Sequence, residues 1–98
     1  MLLMHQDATD RKAADDPKQW EQYIATLRGT GQFDGGSSMG RGECLKKNQP
    51  SQPTGNDFSG FIRVRAVSLE SAKQFLLGNP VYEAGGTVEI RELPRSGS

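Results

Sequence analysis

From Phe61 to Ala66, Ile62, Val64 and Ala66 fall on one side of the chain and Phe61, Arg63 and Arg65 on the other. Val88 and Ile90 alternate in the same way with Glu89 and Arg91. A period of two predicts strands with one apolar and one charged face. Between the two runs, Leu69, Ala72, Phe75 and Leu76 recur at helical spacing and predict the buried face of a helix. Ser68 is positioned as the N-cap of this helix, and Glu70 complements the dipole in its first turn. Gly78-Asn79-Pro80 stops the helix, Gly85-Gly86 allows a tight turn, and a last strand spans Thr87 to Leu93, closed by Pro94.

Upstream, the short apolar run Met1 to His5 predicts a first strand buried between neighbours. Its faces are Met1, Leu3, His5 and Leu2, Met4, and the residues do not decide which of them meets the helices. Gln6 to Asp15 is polar and predicts a loop. Asp16-Pro17 then supplies an N-cap and a proline at the first helical position, where the missing N–H costs nothing. Trp20, Tyr23, Ile24 and Leu27 form one stripe behind it, and Gly29 and Gly31 provide the left-handed stop. The glycine-rich stretch Gln32 to Gly42 predicts an edge strand, bulged or bent, pairing with the strand at Phe61 to Val67. Glu43 to Phe58 is a long polar connection with no expected element of its own, read as mobile.

The resulting order, β-α-β-β-α-β, predicts an α+β fold in one domain over residues 1–94, with residues 95–98 as a disordered tail. Two βαβ halves with both helices on one face of a four-stranded antiparallel sheet give a ferredoxin-like sandwich. Its first strand lies between the third and fourth. The uncovered face would then carry Phe61, Arg63, Arg65, Glu89 and Arg91, a surface suited to a partner.

Composition strengthens that expectation. Of 98 residues only 34% are hydrophobic and twelve are glycine, so the core is modest and a homodimer through the open sheet face is a natural way to bury more. Twelve basic residues balance twelve acidic ones, which removes the electrostatic footprint of a nucleic-acid binder. The opening MLLM is too short for a membrane span or a signal peptide, and a cytoplasmic location follows by default. Cys44 is the sole cysteine, so no internal disulfide and no multi-cysteine metal site is expected. Asp7, Asp10, Asp15 and Asp16 match no calcium loop and read as a solvated acidic segment, so no metal is expected.

Three sets of residues carry candidate chemistry. His5 and Asp7 are two apart, and on a continued strand they share a face. A carboxylate on one ring nitrogen would fix the tautomer and leave the other for proton transfer, with a capping or structural role as the alternative. Arg63, Arg65, Glu89 and Arg91 share the open face, where they could clamp an anionic small-molecule ligand or set the register of a dimer interface. Trp20 heads the helical stripe, either as core or as the lining of a pocket between helix and sheet.

The run from Ser59-Gly60-Phe61 through the Leu69 helix, Pro80, Gly85-Gly86 and Val88-Glu89-Ile90-Arg91 resembles the YCII-related domain, in particular its DGPF branch. Met1-Leu2-Leu3-Met4-His5-Gln6-Asp7 and Gly31-Gln32-Phe33-Asp34-Gly35-Gly36 are similar to that family's first strand and its passage into the second. The resemblance covers most of the chain and implies a ferredoxin-like domain paired sheet to sheet as a dimeric α+β barrel. It also implies that Asp7 matches the family's aspartate after the first strand. Two departures stand out. Gly55-Asn56-Asp57-Phe58 replaces the name-giving Asp-Gly-Pro-Phe element, and Trp20 stands where YCII-like members carry a helix-borne histidine. Two readings of function follow. One is a small enzyme, without a cofactor, acting by acid/base proton transfer on a small polar metabolite through His5 and Asp7. The other is a non-catalytic dimeric ligand-binding or accessory domain.

Overall fold

The computed structural model describes residues 1–54 and 57–94; Gly55, Asn56 and the tail at 95–98 lie outside the described residues. In chain order the elements are β1 (Leu2–His5), α1 (Arg11–Ala14), α2 (Pro17–Thr30), β2 (Phe33–Ser38), β3 (Glu43–Cys44), β4 (Gln52–Pro53), β5 (Phe58–Val64), α3 (Leu69–Ala72) running into a 3-10 turn (Lys73–Leu76), α4 (Pro80–Glu83) and β6 (Val88–Ile90). The fold is α+β, with one four-stranded antiparallel sheet in the order β2-β5-β1-β6. Among the described residues there are four α-helices where two were expected.

Register explains the two faces. Leu2 lies opposite Ile62 on one side and Ile90 on the other, while Leu3 lies opposite Phe61 and Glu89. Leu2, Met4 and Ile62 enter the core with Tyr23, Leu27, Phe75 and Val81. This settles the orientation of β1: Leu2 and Met4 meet the helices, and Leu3 and His5 take the other face. The molecule measures 47 × 41 × 19 Å. One sheet and one helical layer, each about 10 Å thick, account for the short axis, so the second face of the sheet lies bare.

α2 begins as its sequence predicts. Asp16 accepts a hydrogen bond from the Lys18 N–H at 3.0 Å, Pro17 follows, and Gly31 ends the helix at φ +74°. Only Tyr23 and Leu27 of its stripe are fully buried; Trp20 and Ile24 are half-buried. β2 is an edge strand with a register shift between Phe33 and Gly36, as its glycines predict.

Five expectations are corrected. The segment Gln6 to Asp15 is not all loop, because Asp10 accepts from the Ala13 N–H and caps the single turn of α1. The connection from Glu43 to Phe58 has its own two-stranded ribbon, β3 with β4, pairing Glu43 with Pro53 and Cys44 with Gln52. The third main strand starts earlier than Phe61 and stops at Val64, leaving Arg65 beyond it. Leu69 is 43% exposed rather than buried, because α3 is one turn long and gives way to a 3-10 turn whose tighter winding rotates the apolar face. Pro80 does not merely end a helix; capped by Asn79, it opens α4, and the last strand shortens to Val88–Ile90.

Candidate functional site

Strand pairing brings His5 on β1 next to Glu89 on β6, two positions along the diagonal of one face. His5 Nε2 lies 3.1 Å from Glu89 Oε1. The other carboxylate oxygen accepts from Arg91 Nε, giving a continuous Arg91–Glu89–His5 chain. Phe58 packs edge-on against the imidazole, with centroids 5.0 Å apart and planes at 84°. The side chains of His5 and Glu89 are 20% and 27% exposed, so the pair is sheltered but reachable. Arg91 first and His5 second hold the Glu89 carboxyl below its ordinary value of 4.5.

A neutral imidazole donating Nε2–H to Glu89 keeps the lone pair on Nδ1, which forms no hydrogen bond among the described residues. Such a ring is set to accept a proton, oriented by the carboxylate behind it.

Asp7 does not pair with His5. It lies beyond the end of β1, where its two oxygens accept from the Thr87 N–H at 2.8 Å and the Thr87 hydroxyl at 2.6 Å. These hydrogen bonds, the hydroxyl's first, hold its carboxyl below the ordinary 3.8. Asp7 therefore ties the start of β6 to the end of β1. Both carboxylates have lowered values in the fold, so their stabilisation is present above the ordinary carboxylate range and fades as the pH falls through the folded-state values. Thermal melts should accordingly show Tm dropping as the pH falls below about 4, and Asp7→Asn should flatten that drop. A slope equal in wild type and variant would remove Asp7 from the account.

The arginines divide by partner. Arg65 is bound at the foot of β2, with Nε 3.2 Å from Asp34 Oδ1 and a terminal nitrogen donating to the Gly31 carbonyl. Arg91 is held by Glu89. Arg63 forms no ion pair among the described residues, and all three arginines line a broad depression of about 960 Å³ at one end of the sheet. The N-terminal ammonium joins them there, donating to the Arg91 carbonyl at 2.6 Å; its burial lowers its pKa. Asp34 and Glu92 also line it, so the surface carries a modest positive excess, with Arg63 the arginine that forms no ion pair.

Trp20 is not part of this surface. It lies on the helical side, donating Nε1–H to the Ala14 carbonyl at 2.7 Å and meeting Tyr23 edge-on at 5.8 Å. There it lines a separate hollow of about 420 Å³ between α2 and the β2–β5 edge. Neither hollow contains His5 or Asp7. Six of the seven singled-out residues therefore fall into three places, His5 with Glu89 and Arg91, Arg63 and Arg65 at the sheet end, and Trp20 on the inner side of α2, while Asp7 acts as a strand tie.

Sequence reading missed Glu89 as the partner of His5. The two are 84 residues apart, and only strand order and register join them. Together these features define the class: an α+β domain whose four-stranded sheet presents a His–Glu–Arg chain on an uncovered face. No family model, no curated protein and no solved structure matches the chain. Among the described residues no helix is long and apolar enough to cross a membrane, and no group of three or more His, Cys, Asp or Glu could hold a metal ion.

Proposed function

We propose that the chain is a ferredoxin-like domain of the YCII-related type that pairs sheet to sheet as a homodimer. In this reading it is a small enzyme, working without a cofactor, that transfers protons to and from a small polar metabolite. The observation that carries the reading is the His5 Nε2 to Glu89 Oε1 contact of 3.1 Å on the uncovered face. His5 acts as the base through Nδ1, Glu89 fixes the tautomer, and the cationic sheet end with Arg63 attracts the substrate's negative charge. The partner's sheet supplies what one chain lacks, a wall that excludes water from His5. Half-buried Leu3 and Phe61, opposite each other on that face, support the apolar centre of such an interface.

The test uses D2O solvent and a panel of small 2-oxo and 3-oxo carboxylates, following deuterium incorporation by NMR. Wild type should exchange at least one of them. His5→Gln should lose about 100-fold or more of that rate, and Glu89→Gln should lose less. Exchange that survives His5→Gln, or a compact monomer by sedimentation at micromolar concentration, overturns the proposal.

A second reading, a dimeric ligand-binding or accessory domain without catalysis, is favoured by one observation. Glu89 also holds Arg91, as a charge cluster that merely sets the register of an interface would. It predicts a dimer with no exchange activity, weakened equally by Glu89→Gln and by Arg91→Gln.

A further inference from the structure

We infer that the hollow beneath α2, on the opposite side of the sheet from His5, is a binding site for a small aromatic carboxylate. Its origin lies in what the sequence leaves out. The positions of β2 and β5 that face α2 include Gly36, Ser38 and Gly60, which offer backbone and little else. Above them α2 presents Trp20 and Ile24, the two members of its stripe that the core does not bury. Strand backbone and small residues below, with Met4, Phe33 and Ile62 among them, and two large apolar side chains above enclose a hollow of about 420 Å³, within the size range of small-molecule sites.

The gap cannot close by rotation of its largest wall. Trp20 is held by its hydrogen bond to the Ala14 carbonyl and by Tyr23 against its edge, so the indole is a fixed plate. A rigid aromatic plate over a largely apolar floor favours an aromatic ring. The polar groups at the rim choose the charge. Arg28, with its guanidinium carbon 6.0 Å from the Phe33 ring centroid, lines the hollow and forms no ion pair among the described residues. Asp15 lines the other end and is already met by Arg11 at 3.6 Å. Trp20 and Arg28 are eight residues apart on one helix, a rise of about 12 Å. A bicyclic ring under Trp20 and Ile24 can therefore direct a carboxylate toward the unopposed guanidinium.

The probe is 2-naphthoate, with uncharged 2-naphthalenemethanol as comparator, followed by NMR on wild type and variants. Trp20 is the sole tryptophan, so its indole N–H signal reports on the site without ambiguity. Naphthoate should shift that signal and the Ile24 methyl groups, and should bind about tenfold more tightly than the alcohol. Arg28→Gln should remove that advantage without changing the alcohol's affinity, and Ser38→Leu, which fills the gap, should abolish both. His5→Gln should leave naphthoate binding unchanged, so this inference and the proton-transfer reading fail separately. Should Ser38→Leu not fold, Arg28→Gln on the helix surface carries the test alone. The inference is overturned by no Trp20 shift at millimolar naphthoate, by equal affinities for the two probes, or by shifts centred on His5 and Phe58.

Discussion

Leu2→Ala should destabilise the fold by about 3 kcal/mol, read as a lower urea midpoint at unchanged slope. Leu2 has no exposed surface and sits on β1, one of the two inner strands, with Ile62 on one flank and Ile90 on the other. Truncation there opens a cavity under α2 and α4 that a strand hydrogen-bonded on both sides cannot collapse to fill. The neighbouring residue is the control. Leu3 points to the uncovered face, so Leu3→Ala should cost less than about 1 kcal/mol in the isolated chain. If the sheets pair, it should instead weaken dimerisation. Equal losses for Leu2→Ala and Leu3→Ala in a monomer would contradict the assigned faces.

Asn79→Ala should cost a similar amount, about 3 kcal/mol, by a different route. Asn79 is fully buried, and its Oδ1 accepts from the N–H groups of both Val81 and Tyr82 at 3.0 and 3.1 Å. Alanine would strand two donors inside the protein, each carrying its own desolvation penalty. Beside it the Tyr23 hydroxyl donates to the Phe75 carbonyl at 2.5 Å and the Asn79 N–H to the Leu76 carbonyl at 3.0 Å, so the start of α4, the 3-10 turn and α2 are joined by hydrogen bonds. Burial there raises the Tyr23 pKa. Asn79→Ser, which keeps an acceptor, should lose less than Asn79→Ala. Identical losses would mean that shape, and not the cap, matters. Among the described residues Asn79 Nδ2 has no hydrogen-bond partner.

Much of this arrangement was legible because its signals are local. Asp16-Pro17 and the Trp20 stripe mark α2 unaided, and the alternation around Ile62 and Val88 marks two strands. The glycines of β2 announce an irregular edge. What was not legible falls into two kinds. α1 and β3–β4 are a few residues long, below the length at which periodicity can register; Pro53 even argues against a strand. Asp10 three residues before Ala13 was the one available sign of α1. The other kind is long-range. His5 and Asp7 look paired by spacing, but the β1 register shift at Met4/His5 and the end of the strand take Asp7 to Thr87. Glu89 reaches His5 only through strand order. Leu69 lies exposed because the helix it opens changes winding after one turn.

The ribbon between β2 and β5 has a practical consequence. Every described residue from Gly36 to Asp57 is exposed, and Arg41, Lys46 and Lys47 lie along it. At its base the strands are fastened, with the Met39 N–H donating to the Ser59 carbonyl at 3.0 Å and Ser38 opposite Gly60. Trypsin should therefore nick the ribbon before anything else, leaving two fragments that elute together from a sizing column, because β2 and β1 still grip β5 across the cut. The same spot would accept an inserted reporter, and separately expressed halves should reassemble on mixing.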